Sequence, residues 1–96
     1  HVVTIDLIGH GLSDKPECDY SISDFSKLIV DFMDAMAIEN ATLLGFSTGA
    51  IIALDVAISH PAYVKRLILL TPGGLTKQYP STLNCTDSLR PYFYIF

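Results

Sequence analysis

The residue in this 96-residue chain best placed to do chemistry is Ser47, which stands in Gly45-Phe46-Ser47-Thr48-Gly49, a G-x-S-x-G pattern. Read as a nucleophile, the serine needs a strand to turn into a helix so sharply that its own backbone is strained and its hydroxyl is pushed out at the carboxyl edge of a sheet. Glycines two residues before and two after make such a corner possible, because side chains there would collide with neighbouring backbone. Gly45 and Gly49 meet that need, and the N–H of Thr48 would point from the helix N-terminus toward an oxyanion. Phe46, by position, would line an acyl pocket or fill the core. Read as a helix N-cap, the same hydroxyl would accept a bond from the first turn, a role that does not ask for the two glycines. Phosphate binding at the helix N-terminus is a third reading. It finds neither G-x-x-x-x-G-K-[ST] nor G-x-G-x-x-G, since Gly9-His10-Gly11 is followed by Asp14 where the third glycine would fall.

The corner requires a strand before it and a helix after it, and the pattern supplies both. Ala41-Thr42-Leu43-Leu44 is a short apolar run stopping at Gly45. From Thr48 to His60 the residues are apolar around most of the circumference, with Thr48, Asp55 and Ser59 on one narrow stripe expected to face solvent. Pro61 ends that helix. Val64 to Leu70 is another apolar run, closed by Thr71-Pro72-Gly73-Gly74. Upstream, Val2 to Ile5 reads as a buried strand that breaks at Asp6 into a loop reaching about Tyr20. Ser21 with Asp24 three residues on predicts a capped helix start. Phe25, Leu28, Ile29, Phe32, Met33 and Met36 then mark one apolar face. Strand, helix, strand, helix, strand in this order predicts an α/β class with parallel strands and right-handed crossovers. Residues 75–96 have no periodicity and stay unassigned.

Composition narrows the function. Half the residues are hydrophobic and mean hydropathy is +0.41, which excludes a disordered chain, and the length allows one domain at most. Six basic against ten acidic residues give a net charge of -4, and the largest basic cluster is Lys65-Arg66, so nucleic-acid binding has no footprint. A small-molecule substrate fits better. The stretch from Ala41 to Leu54 is too short and too polar for a membrane span. No leader motif is visible after His1-Val2-Val3, which makes a cytoplasmic location the expectation. Cys18 and Cys85 do not resemble a disulfide framework, and Asn84-Cys85-Thr86 is read as a chance match to a glycosylation acceptor. Oligomeric state is left open.

Three segments carry a resemblance. Asp6-Leu7-Ile8-Gly9-His10-Gly11-Leu12-Ser13, continuing to Pro16, resembles the D-x-x-G-x-G-x-S loop that follows the fourth strand of the α/β-hydrolase fold. Gly45 to Gly49 resembles that superfamily's nucleophile elbow, and His60-Pro61 through Leu70 resembles its helix exit and sixth strand. Ala50, where many members have glycine, and Ile8, where proline or arginine is common, are mild departures. The chain from Val2 to Gly74 thus resembles the central piece of a serine esterase, lipase or peptidase. The resemblance implies a partial hydrolase core over 1–74, a start of a cap segment within 75–96, Ser47 as nucleophile, Thr48 as backbone oxyanion donor, and no cofactor or metal.

The resemblance also implies parts that this piece lacks. The superfamily orders its triad serine, acid, histidine, and after Ser47 only Asp55, His60 and Asp87 offer candidates. His60 lies roughly 20 Å and Asp55 about 12 Å along the helix from Ser47, too far to act on it. His10 opens at the same sheet edge but two strand spacings away, roughly 10 Å, so a loop-structuring or substrate-side role suits it better than that of general base. Asp6 is expected to form a turn. The superfamily's third strand, which separates its fourth and fifth, is absent, so a hole in the sheet is expected, and with it a chain that is unstable or rearranged in isolation. A non-catalytic, hydrolase-like binding protein or an inactive truncated product is the alternative function.

Overall fold

The computed structural model describes residues 1–17, 19–70, 82–84 and 93–95. Its elements in chain order are β1 (Val3–Thr4), β2 (Asp19–Ser21), α1 (Ile22–Ala35), β3 (Ala41–Phe46), α2 (Thr48–Ser59), β4 (Val64–Leu70), β5 (Thr82–Asn84) and β6 (Phe93–Ile95), with a single 3-10 turn at Pro61–Tyr63 between α2 and β4. The helices and the last long strand fall where the sequence pattern puts them. The first strand is shorter than the apolar run that announced it. β3 runs through Gly45 to Phe46 rather than stopping before the glycine, because the corner itself begins only at Ser47.

The main sheet has the order β1-β6-β3-β4. β3 and β4 pair in parallel from Thr42↔Arg66 to Phe46↔Leu70, with an irregularity between Ala41 and Thr42, and α2 provides the crossover between them. β6 runs antiparallel to both β1 and β3, so those two strands are parallel to each other and present their carboxyl ends at one edge. The expected hole between them is therefore filled, by residues from the segment that the sequence left unassigned. The sheet is mixed rather than all parallel for the same reason. β2 and β5 form a separate antiparallel pair that no sequence signal announced.

α1 starts as the cap pattern requires. The Ser21 hydroxyl lies 3.1 Å from the Asp24 N–H, the Ser21 N–H donates to the Asp24 carboxylate at 2.8 Å, and the hydroxyl donates to it at 2.6 Å. Those bonds hold the Asp24 carboxyl below its ordinary value of 3.8, the Ser21 side chain contributing most. The helix ends without a glycine. Ile38 N–H bonds Met33 carbonyl at 2.8 Å and Ala37 N–H bonds Asp34 carbonyl at 3.0 Å, the two bonds of a Schellman ending, with Ala37 left at φ 55°.

The buried face of α1 is Phe25, Ser26, Ile29, Val30 and Met33. Leu28 and Met36, expected inside, are exposed. The helix is rolled so that Ser26 meets α2: its hydroxyl donates to Ile22 carbonyl at 3.0 Å and reaches Ile52 carbonyl at 3.5 Å. A small side chain there lets the two backbones approach while its own hydroxyl stays satisfied. One core joins these faces to Leu7, Ala41, Leu43, Ile52, Ala53, Val56, Phe93 and Ile95. On α2 the solvent stripe is not the expected one. Thr48 is buried, Asp55 is half-buried, and the most exposed large apolar side chain of the helix is Ile58 at 71%.

Candidate active site

Ser47 occupies the join between β3 and α2 at φ 53° and ψ -118°, a positive φ that a residue with a Cβ adopts only under strain. Two main-chain bonds hold it there. Its N–H donates to the Leu70 carbonyl at 3.0 Å, and its carbonyl accepts the Ala50 N–H at 3.0 Å. Its hydroxyl makes no capping bond to the helix, so the N-cap reading of this serine fails. The Leu70 contact was invisible in the sequence, since it joins main chain to main chain and leaves no trace in residue type.

Gly45 explains itself by what surrounds it. A Cβ built there would overlap the carbonyl group of Gly49 and the Ala50 nitrogen across the corner. The two glycines of the pattern thus face one another where strand and helix come closest. Thr48 is buried in the first turn of α2, and its N–H belongs to the positive end of the helix dipole. Phe46 is 39% exposed at the carboxyl end of β3, so it is not core filler.

The loop after β1 opens at the same edge. The Asp6 carboxylate accepts the Leu12 N–H at 2.9 Å, and the Asp6 carbonyl accepts the Ser13 hydroxyl. Gly9 N–H bonds Asp14 carbonyl at 2.8 Å, His10 N–H bonds Leu7 carbonyl at 2.8 Å, and Ser13 N–H bonds His10 carbonyl at 3.1 Å. The Lys15 ammonium closes the loop on the carbonyls of Gly11 and Ser13. Gly11 sits at φ 51° with the Asp6 carboxylate where a Cβ would be. The D-x-x-G-x-G-x-S spacing is therefore a set of bonds, and Asp6 shapes the turn as expected. The half-buried His10 directs Nδ1 at the Ile8 carbonyl, 3.1 Å away. A carbonyl only accepts, so that nitrogen carries the proton.

Other titratable candidates are not brought to Ser47. His60 stands at the opposite end of α2, its N–H bonded to Val56 carbonyl and its ring edge-on to Tyr63, with 6.4 Å between centroids. Tyr63 in turn donates its hydroxyl to Asp34 at 2.9 Å, which with partial burial raises its pKa above the ordinary 10.0. Asp55 lies within α2 and keeps one buried carboxylate oxygen, Oδ2, without a hydrogen bond. Asp87 and residues 71–81 lie outside the described residues. Among the described residues, no group of three His, Cys, Asp or Glu side chains is placed to hold a metal ion, and no helix is long and apolar enough to cross a membrane.

A strained serine at the corner of a parallel β-α-β unit, with a glycine-built loop at the same sheet edge, defines an α/β-hydrolase-type architecture. The chain belongs to the alpha/beta hydrolase fold family, whose model matches residues 1–93. Among curated proteins it is 42% identical over 76 residues to an uncharacterized protein of Mycobacterium tuberculosis, covering 79% of this chain and 22% of that one. It is 34% identical over 93 residues to 2-hydroxymuconate semialdehyde hydrolase of Pseudomonas sp. (strain CF600), covering 96% and 33% of the two chains. It is likewise 34% identical over 68 residues to 2-(acetamidomethylene)succinate hydrolase of Mesorhizobium japonicum, covering 71% and 24%. The chain thus spans between 22% and 33% of the length of these relatives. No solved structure matches it at a significant level.

Proposed function

We propose that this chain carries the nucleophile of a serine hydrolase acting on an ester, amide or related acyl bond. The observation that supports the reading most is the strained backbone of Ser47, whose hydroxyl is not used to cap the helix that follows it. In this reading Ser47 Oγ attacks the substrate carbonyl carbon, its proton passes to a base, and the carbonyl oxygen gathers negative charge beside the Thr48 N–H at the α2 terminus. Collapse of that intermediate expels the leaving group, which takes up the proton, and leaves an acyl group on Ser47 for water to remove. Gly45 and Gly49 hold the corner, and Phe46 lines the acyl side. No cofactor enters the reaction.

The orienting acid and the base are assigned to sequence beyond this chain, since His60 stands at the far end of α2 from Ser47 and His10 belongs to the loop after β1, two strand positions from β3. The relatives named as hydrolases favour turnover of a small molecule over a binding-only role. A fluorophosphonate probe tests the reading in a longer parent protein. Covalent labelling that maps to Ser47 and disappears in Ser47→Ala is expected. A folded parent that takes no label at Ser47 would favour the alternative, a hydrolase-like protein kept for binding.

A further inference from the structure

We propose that Cys18 and Cys85, the two cysteines of the chain, form a reversible disulfide that staples β2 to β5. The register of the ladder carries it. Asp19 lies opposite Asn84, Tyr20 opposite Leu83 and Ser21 opposite Thr82 in an antiparallel pairing. Position numbers fall on one strand as they rise on the other, so the next step outward from Asp19 and Asn84 would set residues 18 and 85 opposite each other. Both cysteines lie outside the described residues, and each is joined by one peptide bond to a residue of the outermost described pair. Directly opposed residues of an antiparallel pair have Cα atoms about 4.5 or 5.5 Å apart, and a disulfide spans roughly 4.4–6.8 Å, so either kind of pair in such a ladder can be bridged.

What the bridge would hold follows from what the ladder joins. Two short strands paired with each other have little stability of their own. β2 is fixed to the rest of the molecule: Tyr20 packs against the core with its ring 5.5 Å from that of Phe25, and Ser21 caps α1. A bridge at 18 and 85 fastens β5 to that anchor and closes residues 18–85 into one ring containing α1, β3, α2 and β4. A long ring is where a cross-link constrains the unfolded chain most. The step needs an oxidant, and a low-molecular-weight disulfide of the glutathione class supplies it. One cysteine thiolate attacks a sulfur of that disulfide and expels a small thiolate, leaving a mixed disulfide; the second cysteine thiolate attacks the protein sulfur, forms the protein S–S bond and expels the other. The two protein protons end on the two leaving thiolates, so the chain is oxidised and the small disulfide reduced. The bridge fastens the chain and stands independently of the role given to Ser47.

Oxidation of the 96-residue chain in a glutathione redox buffer tests it. Peptide mapping without reduction should recover residue 18 linked to residue 85, with an equilibrium constant for bridging on the order of 100-fold higher in buffer than in concentrated denaturant, where the register is gone. Moving the thiol by one residue, with Glu17→Cys and Cys18→Ser, turns it to the opposite face of the strand and should return the constant to its denatured value. Asp19→Cys with Asn84→Cys, in a background of Cys18→Ser and Cys85→Ser, reports the ladder by itself. Bridging there but not between Cys18 and Cys85 would overturn the proposal, as would equal constants in buffer and denaturant, intermolecular bridges only, or bridging by neither pair. Reduction of the bridged chain should lower its Tm and leave that of Cys85→Ser where it was. A Tm unmoved by reduction would refute the staple.

Discussion

Gly45 is opposed by the backbone of Gly49 and Ala50, so its lack of a side chain is a contact and not a matter of flexibility. Gly45→Ala should therefore cost about 1–3 kcal/mol, the range of overpacking in a close-packed site. Chemical denaturation would show this as a lowered midpoint with an unchanged slope. The strain at Ser47 is held by bonds on both sides, to Leu70 and Ala50, so it persists only while β4 stays docked. Asp6 works in the same way at the loop: one carboxylate takes the Leu12 amide and fills the space at Gly11. The residue types of both features were legible as patterns, because glycine where backbone meets backbone has few substitutes. The burial of Thr48 was not legible, since it depends on what packs over the helix terminus.

At the scale of the element, α1 carries one strong end and one strained end. Its N-terminal capping box was readable because serine and aspartate three apart can satisfy each other without help from the rest of the fold. Ser21→Ala should lower stability by about 1 kcal/mol. The Asp24 carboxyl is held below 3.8, so its contribution is complete above that pH and is lost as pH falls through the lowered folded value. The gap in melting temperature between wild type and Ser21→Ala should accordingly shrink below pH 3.8. The C-terminal end was not readable, since Ala37 adopts φ 55° where glycine is the usual choice. Ala37→Gly removes the Cβ strain, partly offset by a more flexible unfolded chain, and should stabilise by about 0.5–1 kcal/mol. A rise in Tm of roughly 4 °C in a calorimetric scan would check it.

At the scale of the molecule, the sheet and its outer surface are in tension. β4 has no neighbour on its outer side among the described residues, and Ile68 and Leu70 are 42% and 46% exposed. An edge strand with apolar side chains invites pairing with another chain. The isolated chain should self-associate with rising concentration, and Ile68→Lys should restore a monomer in sedimentation equilibrium with little loss of stability. Ile58 on α2 is a further exposed apolar side chain, at 71%. The small share of each relative that this chain spans fits a core whose other faces are covered by further sequence in those proteins.

Local chemistry wrote much of this protein legibly into its sequence. The alternation of apolar runs with one-sided helices, the box at Ser21 and Asp24, the glycines around Ser47 and the self-bonded loop after Asp6 each rest on neighbours a few residues apart. Sequence alone therefore determined the α/β class and the position of the corner. Only the tertiary structure decided that Phe93 to Ile95 would enter the sheet antiparallel between β1 and β3. It also decided that Ser26 would face α2 while Leu28 turned outward, and that Leu70 would tether Ser47. These outcomes depend on pairing between segments remote in the chain, where three apolar residues carry no signal of direction or destination until a slot of matching width and burial exists to receive them.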